Sequence, residues 1–286
     1  MREKYKNTLT RGFILFRDPY YQGFAAQLAF FIILSIVPML MLLSQLLSIF
    51  DLSFDKLEKV FGQYISVDVL SFAMDLLKFN TGVTSNILFT LIALWSASRA
   101  QFALIRMGSY TMSGGRDTGY RGYGFIEGYI KARLRALLSI IFTLVTFTAG
   151  LIVLVYGEII FKVVLATLTH LLNIDATFST IWLFIRWPIA FAVYFLVIWV
   201  NYSLMSYKRI PMKDVVPGAV FASVGIILVT FLYALYTNYM SGYNIVYGAL
   251  AAIVALMFWV YFISWCLGLG LICNRAWSEA SEAEPF

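Results

Sequence analysis

Six stretches of this sequence, near residues 27–50, 87–106, 134–156, 180–204, 216–238 and 245–273, each approach the roughly 20 mostly apolar residues that a bilayer crossing needs. That repetition constrains the chain more than any motif does. In hydrocarbon the backbone must satisfy its own hydrogen bonds, and runs of this length do so as helices. The composition agrees: 61% of residues are hydrophobic and 13% charged, against about one quarter charged in an ordinary soluble domain. The expected fold class is therefore all-α, a polytopic membrane protein with six transmembrane helices plus interfacial amphipathic helices.

The length outside these runs is divided among short connections and tails, none large enough for a core of its own. A single membrane domain over 1–286 is expected, with a basic interfacial segment at 1–26 and a short tail at 274–286. The first apolar run begins after 26 residues and is followed by no small-residue cleavage site, so it is expected to act as an uncleaved anchor. Cys266 and Cys273 stand two helical turns apart, about 10 Å, too far to bond to each other.

Positive charge sets the orientation. The N-terminal segment carries Arg2, Lys4, Lys6, Arg11 and Arg17, and the second connection carries Arg106, Arg116, Arg121, Lys131, Arg133 and Arg135. The fourth connection adds Lys208, Arg209 and Lys213, and the last tail Arg275, which makes fifteen on one side. The opposite side receives Lys56, Lys59, Lys78 and Lys162. Both termini are thus expected in the cytoplasm. The basic excess then reflects topology and attraction to anionic headgroups, and no basic segment has the pattern that nucleic-acid recognition needs.

Three segments read as interfacial. In YKNTLTRGFILFRDPYY, Leu9, Phe13, Phe16 and Tyr20 share one helical face with basic residues around it. A second amphipathic segment, of one or two helices, runs from Ser53 to Phe79, and a third, more apolar and either interfacial or re-entrant, from Glu158 to Asp175. The glycine-rich stretch 108–128 lacks the lysine-serine pair and the preceding strand of a nucleotide loop, and reads as a cytoplasmic linker.

Polar groups inside the runs carry what functional signal there is. Arg99, in WSASRAQFALIR, lies about 18 Å into the second run with no carboxylate at its depth in any of the six. Its stem can snorkel toward the cytoplasmic surface about 10 Å away. Alternatively, Ser96, Arg99, Ala103 and Arg106 form one stripe, with Ser98 and Ala100 beside it, facing a cavity for an anionic guest. A guanidinium with free donors suits a phosphate or carboxylate, which it grips with two parallel hydrogen bonds. Arg186, beside Trp187, lies about 8 Å from the outer end of its run, where an interfacial anchor is the plainer role. Pro38 and Pro188 each interrupt the hydrogen-bond ladder of their runs.

Enzyme chemistry is not expected. The one histidine, His170, has no companions at metal-ligand spacing, and there are no paired carboxylates and no nucleophile motif. No metal, cofactor or catalytic residue is assigned.

Five segments in register carry a family resemblance: AAQLAFFIILSIVPMLMLL, LWSASRAQFALI, FIRWPIAF, SYKRIPMKDVVPGAVFA and YNIVYGALAAIVALMFWVYFISWCLGLG. Over nearly its whole length the chain resembles the BrkB/YihY-type bacterial inner-membrane protein family. The resemblance implies six transmembrane helices in a bacterial inner membrane. Members have been called virulence or serum-resistance factors, transporters of lipid-like molecules and, by an old misassignment, a ribonuclease. It points to Pro38, Trp95, Ser96, Arg99, Arg186, Pro188, Pro211, Pro217, Gly218, Tyr247, Gly248 and Trp259. Two departures matter: Ile272 stands where the family pattern commonly has a glutamate, and the glycine-rich loop is longer.

Together these readings lead to the expectation of a transporter or flippase-like protein for an anionic amphiphile. Arg99, Ser96, Ser98, Arg106 and Arg186 are the candidate substrate contacts, and Pro38, Pro188, Pro217, Gly218 and Gly248 permit bending or close packing. The alternatives are a non-transporting scaffold that binds lipids or proteins, and a channel. The expected partners are membrane lipids with anionic headgroups and no nucleic acid, a homo-oligomer being neither implied nor excluded.

Overall fold

The computed structural model describes residues 2–49, 70, 71, 75, 87–114, 128–150, 178–205, 212–240 and 244–282. Seven helices account for nearly all of them: α1 (Arg2–Phe16), α2 (Tyr20–Ile49), α3 (Ile87–Met112), α4 (Gly128–Gly150), α5 (Phe178–Met205), α6 (Met212–Met240) and α7 (Asn244–Glu282). No strand occurs among the described residues. The sequence-predicted helix from Ser53 to Phe79 lies outside the described residues apart from three of them, and the one from Glu158 to Asp175 lies wholly outside, as does most of the glycine-rich linker.

Helices α2 to α7 coincide one for one with the six apolar runs, with shifted ends. Four contain segments long and apolar enough to cross a membrane: Tyr20–Leu47, Gly128–Gly150, Lys213–Thr237 and Ile253–Ala280, and α5 contributes a shorter apolar stretch, Pro188–Leu204. Their outward faces are apolar, with Leu134, Leu138, Phe221, Leu228, Phe231, Met257 and Phe258 all exposed. Such continuous faces need an apolar solvent, so this is a multi-pass membrane protein.

Two ends of helices are set by short signals. Asp18 caps α2: its Oδ1 accepts from the Tyr20 N–H at 3.0 Å, and Pro19, lacking a donor, occupies the first turn where none is needed. At the other end of α3, Gly114 takes φ +67° and its N–H reaches back to the Thr111 carbonyl, the left-handed stop that glycine supplies without strain.

Packing forms two apolar centres. One joins Tyr21 and Leu28 of α2 with Leu104 and Met107 of α3, Ile198 and Tyr202 of α5, Val215 of α6 and Leu271 of α7. The other joins Leu42, Leu43 and Leu47 with Ala93 and Ala97 of α3 and Ile140 and Leu144 of α4. Without a hydrophobic force between helices in lipid, close backbone approach takes over. At the crossing of α6 and α7 a Cβ on Gly218 would overlap the Gly270 carbonyl oxygen and lie 2.5 Å from Asn274 Oδ1, which accepts from the Gly218 N–H at 2.6 Å. Tyr202 Oη closes the third side by donating to the Leu267 carbonyl at 2.6 Å.

Two differences from the sequence reading follow from tertiary contacts. The last helix does not stop at residue 273 but continues to Glu282, because α1 lies across it: Arg11 pairs with Glu279 at 3.0 Å and the Phe16 and Trp265 rings meet at 5.4 Å. The helix of the third apolar run does not begin at 134 but already includes Gly128, which brings Arg133 into the bundle instead of a connection.

Candidate anion site between two helices

Helix α3 presents Trp95, Arg99, Phe102 and Arg106 at spacings of four, three and four, which places all four along one stripe. Arg133 of α4 lies against that stripe. Its guanidinium carbon is 4.0 Å from the Trp95 ring centroid and 5.3 Å from that of Phe102, and its Nη2 donates to the Trp95 carbonyl at 3.0 Å. Arg133 is only 6% exposed. Its charge is therefore held by aromatic faces and a backbone oxygen, an arrangement worth about 2 kcal/mol per ring contact when desolvated.

The stripe residue between the two rings is Arg99, which is exposed, while Arg106 two turns further on is half-buried. Helices α3 and α4 contain Arg99, Arg106, Lys131, Arg133 and Arg135 and no aspartate or glutamate. A surface with this balance attracts anions, and the guanidinium fork accommodates the oxygens of a phosphate or carboxylate.

The serines beside Arg99 take other positions. Ser98 is fully buried and donates to the Trp95 carbonyl at 2.7 Å, and the Ser96 carbonyl accepts from Ser35 of α2 at 3.2 Å. Trp95 thus receives two side-chain donors on one carbonyl oxygen. Arg186 lies in α5 just before Pro188, away from the stripe in sequence, and its side chain is outside the described residues, as is the surrounding of Gly248 in α7. Pro38, Pro188 and Pro217 all sit inside helices, and Gly218 serves helix contact at the α6–α7 crossing.

Sequence reasoning passed over Arg133 because it precedes the most apolar residues. The available signal was Trp95 and Phe102, seven apart on the Arg99 stripe, ready to flank a cation. It also passed over a second polar cluster in the same region. Asn201 of α5 accepts from Ser139 Oγ of α4 and donates to Thr143 Oγ1 at 3.1 Å, and Gln101 of α3 donates to the same Thr143 oxygen at 3.3 Å. Gln101 Oε1 is buried and unpartnered. Three helices are thereby tied by side-chain amides and hydroxyls. Among the described residues no group of three metal-ligating side chains occurs.

Comparison with known sequences turns these features into a family. The pattern described as "Virulence factor BrkB" matches residues 16–285. This chain belongs to the BrkB family. A ribonuclease-like protein of Bacillus subtilis, YfkH, is 29% identical over 246 residues, 84% of each chain. A UPF0761 membrane protein of Pseudomonas paraeruginosa is 30% identical over 106 residues, 35% of this chain and 25% of its own length. Another, from Idiomarina loihiensis, is 27% identical over 147 residues, about half of each chain. No solved structure matches.

Proposed function

We propose that this BrkB-family protein moves an anionic amphiphile between the leaflets of a bacterial inner membrane, with α2 to α7 all crossing and both termini in the cytoplasm. The observation that carries the reading is the Arg133 guanidinium stacked on Trp95 and Phe102 with Arg99 between them on the same stripe and no acid in either helix. Four apolar helices and the fifteen-to-four division of basic residues support the topology.

In this mechanism Arg99, exposed at the stripe, meets the anionic headgroup first, and Arg133 offers a second guanidinium within the bundle. The rings of Trp95 and Phe102 hold the Arg133 guanidinium in place against the stripe. The acyl chains stay against the apolar outer faces.

The test uses purified protein in vesicles carrying a fluorescent anionic or zwitterionic lipid, with impermeant quenching to follow transfer between leaflets. Wild type is expected to accelerate the anionic probe selectively. Arg99→Leu and Arg133→Met each lower that rate at least tenfold, while Arg99→Lys retains part of it. Equal rates in wild type and both charge-removing variants defeat the proposal.

A further inference from the structure

Helix α1 has two surfaces available to it. In the structure it lies across α7, with Gly12 so close that its added Cβ would be 3.9 Å from the Ala276 Cβ, and with Arg11 bonded to Glu279. Its other face is uncovered and apolar: Phe13 is 60% exposed and Ile14 64% exposed, and Arg17 lies over the Phe13 ring at 5.2 Å. The sequence of α1 with the residue after it carries Arg2, Lys4, Lys6, Arg11 and Arg17, with Glu3 the one acid among them. This is the composition of a helix that lies in a lipid interface, yet its salt bridge fixes it to another helix.

The two ends of α1 stand at different depths. Glu279, which holds Arg11, lies 26 residues beyond Ile253, about 39 Å along α7, whereas the hydrocarbon layer is about 30 Å thick. Phe16 at the other end meets Trp265, 12 residues beyond Ile253 and about 18 Å along α7, so release of the Arg11 end lets Phe13 and Ile14 settle onto the acyl boundary. The Arg11–Glu279 pair is also weakly held, since the Arg11 side chain is half-exposed. Five basic residues near an anionic surface outweigh one such pair.

We propose that α1 exchanges its seat on α7 for the anionic headgroup surface of the adjacent leaflet, with Arg11–Glu279 as the catch. The movement reaches the bundle through Asp18, which caps α2 and also accepts from Tyr110 Oη of α3 at 2.8 Å. Tyr110 is one helical turn from Arg106, so the charge of the leaflet is read at the end of the helix that carries the arginine stripe. The proposal is independent of whether the protein transports anything.

The Gly12–Ala276 approach supplies the assay, because 3.9 Å between Cβ atoms matches disulfide geometry. Full-length protein with Gly12→Cys and Ala276→Cys, and with Cys266→Ala and Cys273→Ala, is placed in phosphatidylcholine vesicles with or without phosphatidylglycerol and oxidised. The cross-link is expected to form in phosphatidylcholine and to fall at least fivefold with the anionic lipid, the factor set by a single basic residue at such a surface. High salt restores it, and Glu279→Gln shifts the loss to a lower anionic fraction. Equal cross-linking in both vesicles, or an equal fall on adding zwitterionic phosphatidylethanolamine, overturns the proposal. As a second measurement that retains the native cysteines, Ile14→Cys carries a polarity-sensitive dye, with the protein lacking that change as blank. Its emission shifts blue with phosphatidylglycerol, and no shift overturns the proposal as well.

Discussion

Replacing Gly218 with alanine should loosen the α6–α7 crossing more than any other single methyl added to a glycine in these helices with side-chain neighbours alone. The new Cβ would overlap the Gly270 carbonyl oxygen and lie 2.5 Å from Asn274 Oδ1. Since the obstacle is backbone, it cannot swing aside, and the helices must separate. Overpacking of this kind costs about 1–3 kcal/mol, and stretching the Gly218–Asn274 hydrogen bond adds about 0.6 kcal/mol in a membrane setting. Alanine's better helix propensity returns up to about 1 kcal/mol. The net, about 1–3 kcal/mol, corresponds to a shift of about fivefold to a hundredfold in the unfolding equilibrium. Reversible unfolding in mixed micelles, followed by circular dichroism, measures it. Two further glycines calibrate the series. Gly225→Ala would meet only the Cys266 side chain at 2.9 Å, so its cost should be smaller and should be relieved by Cys266→Ala, whereas Gly23→Ala meets nothing within 4 Å and should be neutral or stabilising. If Gly218→Ala proves as stable as Gly23→Ala, the close crossing is wrong.

Other perturbations separate packing from charge. Arg133→Met keeps the side-chain volume against Trp95 and Phe102, so unfolding stability should stay within about 1 kcal/mol of wild type, or rise, while anionic transfer is lost; a parallel loss of both would make Arg133 structural. Asn201→Leu takes the acceptor from Ser139 and one of two amide donors from Thr143, and should cost about 0.6–1.7 kcal/mol in the same unfolding assay. Asp18→Ala removes both the α2 cap and the acceptor for Tyr110, whereas Tyr110→Phe removes only the second bond. The aspartate change should therefore be the more destabilising by about 1 kcal/mol, with equal losses arguing against the cap.

Length and apolarity made the six long helices legible, four of them with segments able to cross a membrane, because a run of about 20 mostly apolar residues has few other destinations. Their ends were less so. Glu279 looks like the start of a polar tail until Arg11, 268 positions earlier, is found beside it, and no local pattern announces that pair. The arginine site was half visible: Arg99 stands out against its apolar neighbours, but Arg133 reads as an ordinary cytoplasmic charge. Only the fold brings it over Trp95 and Phe102. The small residues tell a similar story, since Gly218 and Gly270 look alike with Gly23 in sequence, and only the first two meet another backbone.

The crowded Trp95 carbonyl bears on how α3 can move. A mid-helix carbonyl in lipid normally depends on the amide one turn later, and losing that amide strands the oxygen. Here Ser98 and Arg133 already supply donors, and Ser35 does the same for the next carbonyl at Ser96. The amides of Arg99 and Ala100 can thus let go with their former acceptors still solvated by protein, which makes these two consecutive positions a joint where the rod bends at little expense. Amide exchange in vesicles should find those two protons leaving sooner than their neighbours at Ala97 and Ala103, and Ser35→Ala should slow the difference.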